Sequence, residues 1–164
     1  MHGGYGGHFR LDEPPAATLK RLRPRYAVQD YSRNGETATQ RVRSFESERR
    51  NGRFVVIAHG INDSIQRLPL ETSLRPMIEI VRREGREPIL TGLSRQSVSI
   101  PGRASTGQAI RRLASEMHVP FADWGAVRYT PDEMADILHP AKQYSDRLAR
   151  SIVEVLDQLA PECA

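Results

Sequence analysis

The chain has 164 residues, 38% of them hydrophobic, with a mean hydropathy of −0.53; that is enough for one core, and the composition is that of a soluble, rather polar globular protein. No apolar run approaches the roughly 20 residues of a membrane span, and the lone Cys163 excludes an intrachain disulfide or a zinc cluster built on cysteine. The net charge is +4, carried almost wholly by arginine because Lys20 and Lys142 are the only lysines.

Those arginines are spread along the chain and interleaved with acids, as at Arg82, Arg83 and Arg86. That pattern reads as solvated helix faces, and no nucleic-acid partner is expected. The N-terminus, Met1 through His8, shows no basic region followed by an apolar stretch, so no signal peptide is read there. His2 and His8 sit among glycines and could hold a metal only weakly; disorder is the expectation for that stretch, and neither a metal nor a cofactor is implied.

In chain order, Pro14 to Leu22 predicts a helix with proline at its start and Leu19 and Leu22 on one face. Tyr26 to Tyr31 predicts a short strand, and Asn34-Gly35 a turn. Glu36 to Glu48 predicts a helix with Ala38, Val42 and Phe45 inward. Phe54 to Ala58 is a continuous apolar run, the mark of a strand buried on both faces. Leu70 to Glu84 predicts a helix with Leu74, Met77, Ile78 and Val81 on one stripe and Gly85 as its stop. Pro88 to Gly92 predicts the next strand, and Ser94 to Gly102 a polar loop. Thr106 to Met117 predicts a helix carrying Ala109, Ile110 and Leu113. Val119 to Asp123 predicts a short strand. The last helix is expected over Pro140 to Leu159, with Tyr144, Leu148, Ile152, Val155, Leu156 and Leu159 inward.

Helix and strand alternate throughout, which predicts a single α/β domain over residues 1–164: a three-layer α/β/α sandwich with a parallel sheet. In such folds the site lies beyond the carboxyl ends of the strands. Asn34-Gly35 and Gly60-Ile61-Asn62-Asp63 both fall just after predicted strands, and Asp136-Ile137-Leu138-His139-Pro140 stands directly before the last helix.

Each motif has a plain structural reading as well. Gly35 can be a turn glycine needing positive φ. Asn62-Asp63 can be a capping turn, Asp136 helix-entry chemistry, and His139 a surface histidine. His59 reads as a packed or capping histidine. Trp124, Tyr129 and Met134 can line a pocket, with core packing the safer expectation.

Taken in order, the motifs resemble the SGNH, or GDSL-type, hydrolase family. That family carries four short blocks: a nucleophilic serine in Gly-Asp-Ser, a glycine, Gly-x-Asn-Asp, and Asp-x-x-His, often followed by proline. Asn34-Gly35-Glu36-Thr37 is similar to the second block, Gly60-Ile61-Asn62-Asp63 matches the third, and Asp136-Ile137-Leu138-His139-Pro140 matches the last. The resemblance runs from about Tyr5 to Leu159. It implies a flavodoxin-like sandwich, no cofactor or metal, and a small-molecule ester as partner. It also implies roles: His139 the base, Asp136 its orienter, Gly35 N–H and the Asn62 amide the oxyanion donors, with Gly60 and Asp63 in support. A small acyl or acetyl group is the mild preference, because no long apolar lid is visible.

The first block is the departure, because no Gly-Asp-Ser occurs in the chain. In the family a helix and a strand separate the serine from the second-block glycine, roughly 30–40 residues of βαβ unit. Counting back from Gly35 by that distance reaches Met1 or just before it, and the glycine-rich Met1 to His8 resembles the stretch that follows the serine. The expectation is therefore an internal methionine start or a lost front, without the first strand of the sheet. Neither Ser32, Ser64 nor Ser105 has the tight strand-to-helix setting of a nucleophile elbow. The alternatives are a non-catalytic binding module on the same fold and a decayed fragment. Localisation and oligomeric state are not readable.

Overall fold

The computed structural model describes residues 5–6, 9–10 and 13–164. Its elements in chain order are β1 (Tyr5–Gly6), β2 (Phe9–Arg10), α1 (Pro15–Leu22), α2 (Ala38–Phe45), β3 (Phe54–Ile57), α3 (Ile61–Gln66), α4 (Glu71–Arg83), β4 (Glu87–Thr91), α5 (Arg103–Glu116), β5 (Phe121–Ala122) and α6 (Lys142–Leu159). The histidines His2 and His8 lie outside the described residues. The chain divides into two compact units: Met1–Asn34 with Ser94–Ser99 and Ala122–Ala164, and Gly35–Leu93 with Ile100–Phe121.

In the first unit α1 packs along α6. Tyr144, Leu148, Ala149, Ile152, Val153 and Leu156 of α6 are buried, so the inner stripe includes Ala149 and Val153, while Val155 and Leu159 lie at its margin. Trp124 joins this core, and its indole N–H donates to the Leu148 carbonyl at 3.0 Å. The face of α1 toward α6 is partly polar. Thr18 is buried and donates to Asp146 at 3.3 Å, and the Arg23 guanidinium grips the Asp157 carboxylate.

The second unit is built on the sheet, whose order is β3-β4-β5. β3 and β4 run parallel with Phe54 opposite Glu87 and Ile57 opposite Leu90, and the Leu90 N–H reaches the Pro120 carbonyl at 3.0 Å where β5 begins. The predicted stripe of α4 is buried as expected: Leu74, Met77, Ile78 and Val81 pack with Ile57, Leu90, Ile110 and Leu113. Gly85 ends that helix, and the Arg86 N–H returns to the Val81 carbonyl at 3.1 Å.

Four expectations change. Tyr26 to Tyr31 forms no strand, because it joins no ladder among the described residues and a strand exists only as part of one. α2 is shorter than Glu36–Glu48. It starts after Thr37, whose hydroxyl accepts the Gln40 N–H at 3.2 Å while Gln40 reaches back to the Thr37 N–H at 3.0 Å. α6 starts at Lys142, and Pro140 instead forms an isolated antiparallel bridge with Met134. The stretch Ile61–Gln66, where the sequence suggested no element beyond a capping turn at Asn62-Asp63, is a helix.

That short helix depends on Gly60. Its φ is +131°, which side-chain-bearing residues rarely adopt, and a Cβ there would stand 2.7 Å from Leu93 Cδ2, 3.1 Å from Leu70 Cδ2 and 3.2 Å from Ile110 Cδ1. Backbone strain and overpacking each cost roughly 1–3 kcal/mol. Gly60→Ala should therefore lower stability by about 2 kcal/mol or more in urea denaturation. An unchanged midpoint would show that the α3 entry tolerates a side chain.

Candidate active site

The second unit brings together the residues of the two middle motifs. Gly35 sits in an exposed turn at φ +72°, with open space around the position of a Cβ, so its need is conformational and not steric. One residue on, the Glu36 carbonyl accepts a hydrogen bond from Asn62 Nδ2 at 3.0 Å. A carbonyl can only accept, so this contact fixes which way the Asn62 amide faces. One of its two N–H groups is used, and the other remains a donor in the same plane. Asp63 is fully buried, and its carboxylate oxygens lie 3.0 and 3.2 Å from the Ala38 N–H. An acceptor oxygen on the first amide of α2 satisfies one of the N–H groups that a helix start leaves without an intrahelical partner. Burial pushes the Asp63 carboxyl up, against the pull of the backbone N–H bonds it receives.

Beside them, burial and then the Arg41 charge hold His59 down at about pH 4, while a hydrogen bond with the Glu36 backbone acts the other way. The ring is therefore neutral at pH 7, as a packed histidine should be. The three candidate serines are occupied with local structure. Ser64 is buried and donates to the Gly60 carbonyl at 2.8 Å, Ser105 donates to the Gly102 carbonyl at 2.8 Å, and Ser32 is bonded to Asp30.

The first unit carries the last motif on a closed loop. The Ala135 N–H donates to the His139 carbonyl and the Ala141 N–H to the Glu133 carbonyl, both at 2.8 Å, flanking the Met134–Pro140 bridge. This pairing holds Pro140 in extended backbone and explains why the helix begins two residues later. Glu133, at the base of the loop, accepts from the Thr130 N–H and pairs with Arg147 of α6; those two partners hold its carboxyl down at about 2.

Inside the loop, Asp136 Oδ1 accepts the Leu138 N–H at 2.8 Å and the His139 N–H at 2.7 Å, and His139 Nδ1 lies 2.9 and 3.0 Å from the two carboxylate oxygens. Burial pushes the Asp136 carboxyl up, but the Leu138 N–H and the His139 ring and N–H outweigh it and hold it below the usual range. An ionised carboxylate only accepts, so Nδ1 carries a hydrogen, and in the neutral ring Nε2 is the acceptor. The pair is accessible: 28% of the His139 side chain and 33% of Asp136 face solvent.

Of the aromatic candidates, Trp124 is core, and Tyr129 packs against the Tyr144 ring with its hydroxyl 3.1 Å from Ser97 Oγ. Sequence reasoning missed Glu36, whose carbonyl orients Asn62; a backbone acceptor leaves no mark in composition or spacing. Among the described residues no group of three or more His, Cys, Asp or Glu could hold a metal, and no helix is long and apolar enough to cross a membrane.

The chemistry of the two sets differs. His139 Nε2 can take and return a proton with its ring held by Asp136. Gly35 and Asn62 offer N–H donors suited to a negative oxygen.

His59 yields a pH prediction. Its folded value lies below the unfolded 6.5, so stability is fully present above that pH and is lost as pH falls toward about 4. The size is on the order of 3 kcal/mol. His59→Gln should flatten the stability profile between pH 6.5 and 4 relative to the parent; equal slopes would remove the buried neutral imidazole from the account.

No protein-family model matches the sequence, and a search of curated proteins finds no significant match. Solved structures do match. A protein assigned to the G-D-S-L lipolytic family from Desulfitobacterium hafniense DCB-2 superposes with a TM-score of 0.79 at 18% identity, covering 93% of each chain. A carbohydrate acetylesterase family member from Sinorhizobium meliloti gives 0.76 at 18% identity, over 94% of this chain and 90% of the other. An inhibitor-bound aryl esterase from M. smegmatis gives 0.68 at 15% identity, over 90% and 86%. With its parallel three-stranded sheet, this chain has the flavodoxin-like fold of the SGNH, or GDSL-type, hydrolases.

Proposed function

We propose that the chain is an ester-hydrolase domain of the SGNH type, acting on carboxylic esters with small acyl or acetyl groups favoured, whose nucleophilic serine is not among these 164 residues. The observation that carries this reading is the Asp136–His139 pair, with Nδ1 on the carboxylate and Nε2 left to accept. The neighbours described as a carbohydrate acetylesterase and an aryl esterase support the reaction class.

In this reading His139 Nε2 removes the proton from a serine hydroxyl as the serine oxygen attacks the ester carbonyl. Asp136 keeps the imidazole in the needed tautomer and stabilises the imidazolium. The tetrahedral oxyanion is met by the Gly35 N–H and by the remaining N–H of Asn62. His139 then gives its proton to the departing alcohol, and the same cycle with water releases the acid.

The test is to place an apolar strand ending in Gly-Asp-Ser ahead of Met1 and follow hydrolysis of 4-nitrophenyl acetate. In that protein His139→Ala should lose about 10³-fold in kcat, Asp136→Asn up to about 10⁴-fold, and Asn62→Ala about 10²- to 10³-fold. Full rate in the His139 and Asp136 variants would overturn their assignment. A second reading, a binding module on the same fold, is favoured by the lack of any Gly-Asp-Ser in the chain. It predicts that the extended protein binds ester or acid without turnover and takes no label from a fluorophosphonate.

A further inference from the structure

Asp63 follows the motif asparagine, yet its carboxylate faces inward, is fully buried and ends on the backbone of another element. Asn62 and Asp63 are consecutive on α3 and grip the same short stretch at two points. Asn62 holds the Glu36 carbonyl at 3.0 Å, and Asp63 holds the Ala38 N–H at 3.0 and 3.2 Å. Between those points lies Thr37, closed by its own reciprocal bonds with Gln40. The stretch from Glu36 to Ala38 therefore has little freedom to rotate, and the exposed Gly35 at φ +72° is its immediate predecessor.

We infer that Asp63 is a positioning residue: by anchoring the Ala38 N–H it sets the Gly35 turn and, through the Glu36 carbonyl, the direction of the Asn62 amide. This rests on the reading of Gly35 and Asn62 as oxyanion donors only for its catalytic meaning. The geometry it predicts is measurable in the chain without any nucleophile.

Removing the carboxyl group strips a buried N–H of its acceptor, whereas an asparagine keeps one acceptor oxygen in nearly the same volume. The experiment is amide hydrogen exchange and ¹⁵N–¹H chemical shifts on the 164-residue chain, on Asp63→Ala and on Asp63→Asn. In Asp63→Ala, exchange at Ala38 should speed up roughly tenfold more than at core amides such as Ile89 and Leu113. The Gly35 N–H and the Asn62 side-chain N–H signals should move with it. Asp63→Asn should restore both signals toward the parent. An even loss of protection across the core, with Gly35 and Asn62 signals unmoved, would make Asp63 a fold-wide stabiliser and overturn the inference. So would a shift that asparagine fails to rescue at all in a folded protein. If the selective change occurs while Asn62→Ala leaves the serine-extended protein at full rate, the positioning stands and the reading of Asn62 as an oxyanion donor falls.

Discussion

The backbone of Gly60 constrains everything on the donor side of the candidate site. At φ +131° the chain leaves β3 and turns at once into α3, in a space where Leu93, Leu70 and Ile110 leave no room for a Cβ. Only with that entry do Asn62 and Asp63 fall on the first turn of α3 and reach the Glu36 carbonyl and the Ala38 N–H. A shift of one residue would rotate both side chains by about 100° around the helix and break both contacts together. The glycine is thus a packing and conformational requirement first, and the donors inherit their geometry from it.

The Asp136–His139 pair is built on the opposite plan. Its contacts are local: the Leu138 N–H, the His139 N–H and the His139 ring all converge on one carboxylate within four residues, and two backbone bonds close the loop that contains them. Such a loop needs little from distant packing to keep the imidazole in one tautomer. What it takes from α6 is the Arg147–Glu133 pair at its base.

The parts of the structure that were readable in the sequence share one property: their signal is local. The stripe of α4, the place of β3 and the parallel-sheet class all follow from residues near one another in the chain, although β3 is not buried on both faces as expected: only Ile57 is fully buried, and Phe54 to Val56 are half-buried. The errors have the opposite cause. Tyr26 to Tyr31 has the composition of a strand, but pairing decides strands, and pairing is long-range. The start of α6 was placed at Pro140 because proline suits a first helical position, yet the bridge to Met134 holds that residue extended. α3 leaves no signal in the sequence because six residues are too few to show a period. The target of Asp63, a backbone N–H 25 residues away, is likewise invisible to any pattern.

The arginines show the same limit on a larger scale. Their even spread reads as solvated faces, and most of the surface pairs are of that kind. Arg41 and Arg50 are different, at 4% and 6% exposure. Arg41 bridges Glu36, at 2.7 Å, and Glu48; Arg50 joins Glu48 at 3.3 Å to Glu84 near the end of α4, and lies over the Phe45 ring, 4.1 Å from its centroid. A planar guanidinium can face two carboxylates and a ring at once, which a lysine ammonium cannot, so the residue type carries information that net charge discards. Buried pairs of this sort add little net stability but are costly to break singly, because the partner is left charged and unpaired. One end of the chain of charges is Glu36, the residue whose carbonyl orients Asn62. The turn is therefore held through its backbone by α3 and through its side chain by Arg41, so a change at Arg41 should be felt at the Asn62 amide as well as in stability.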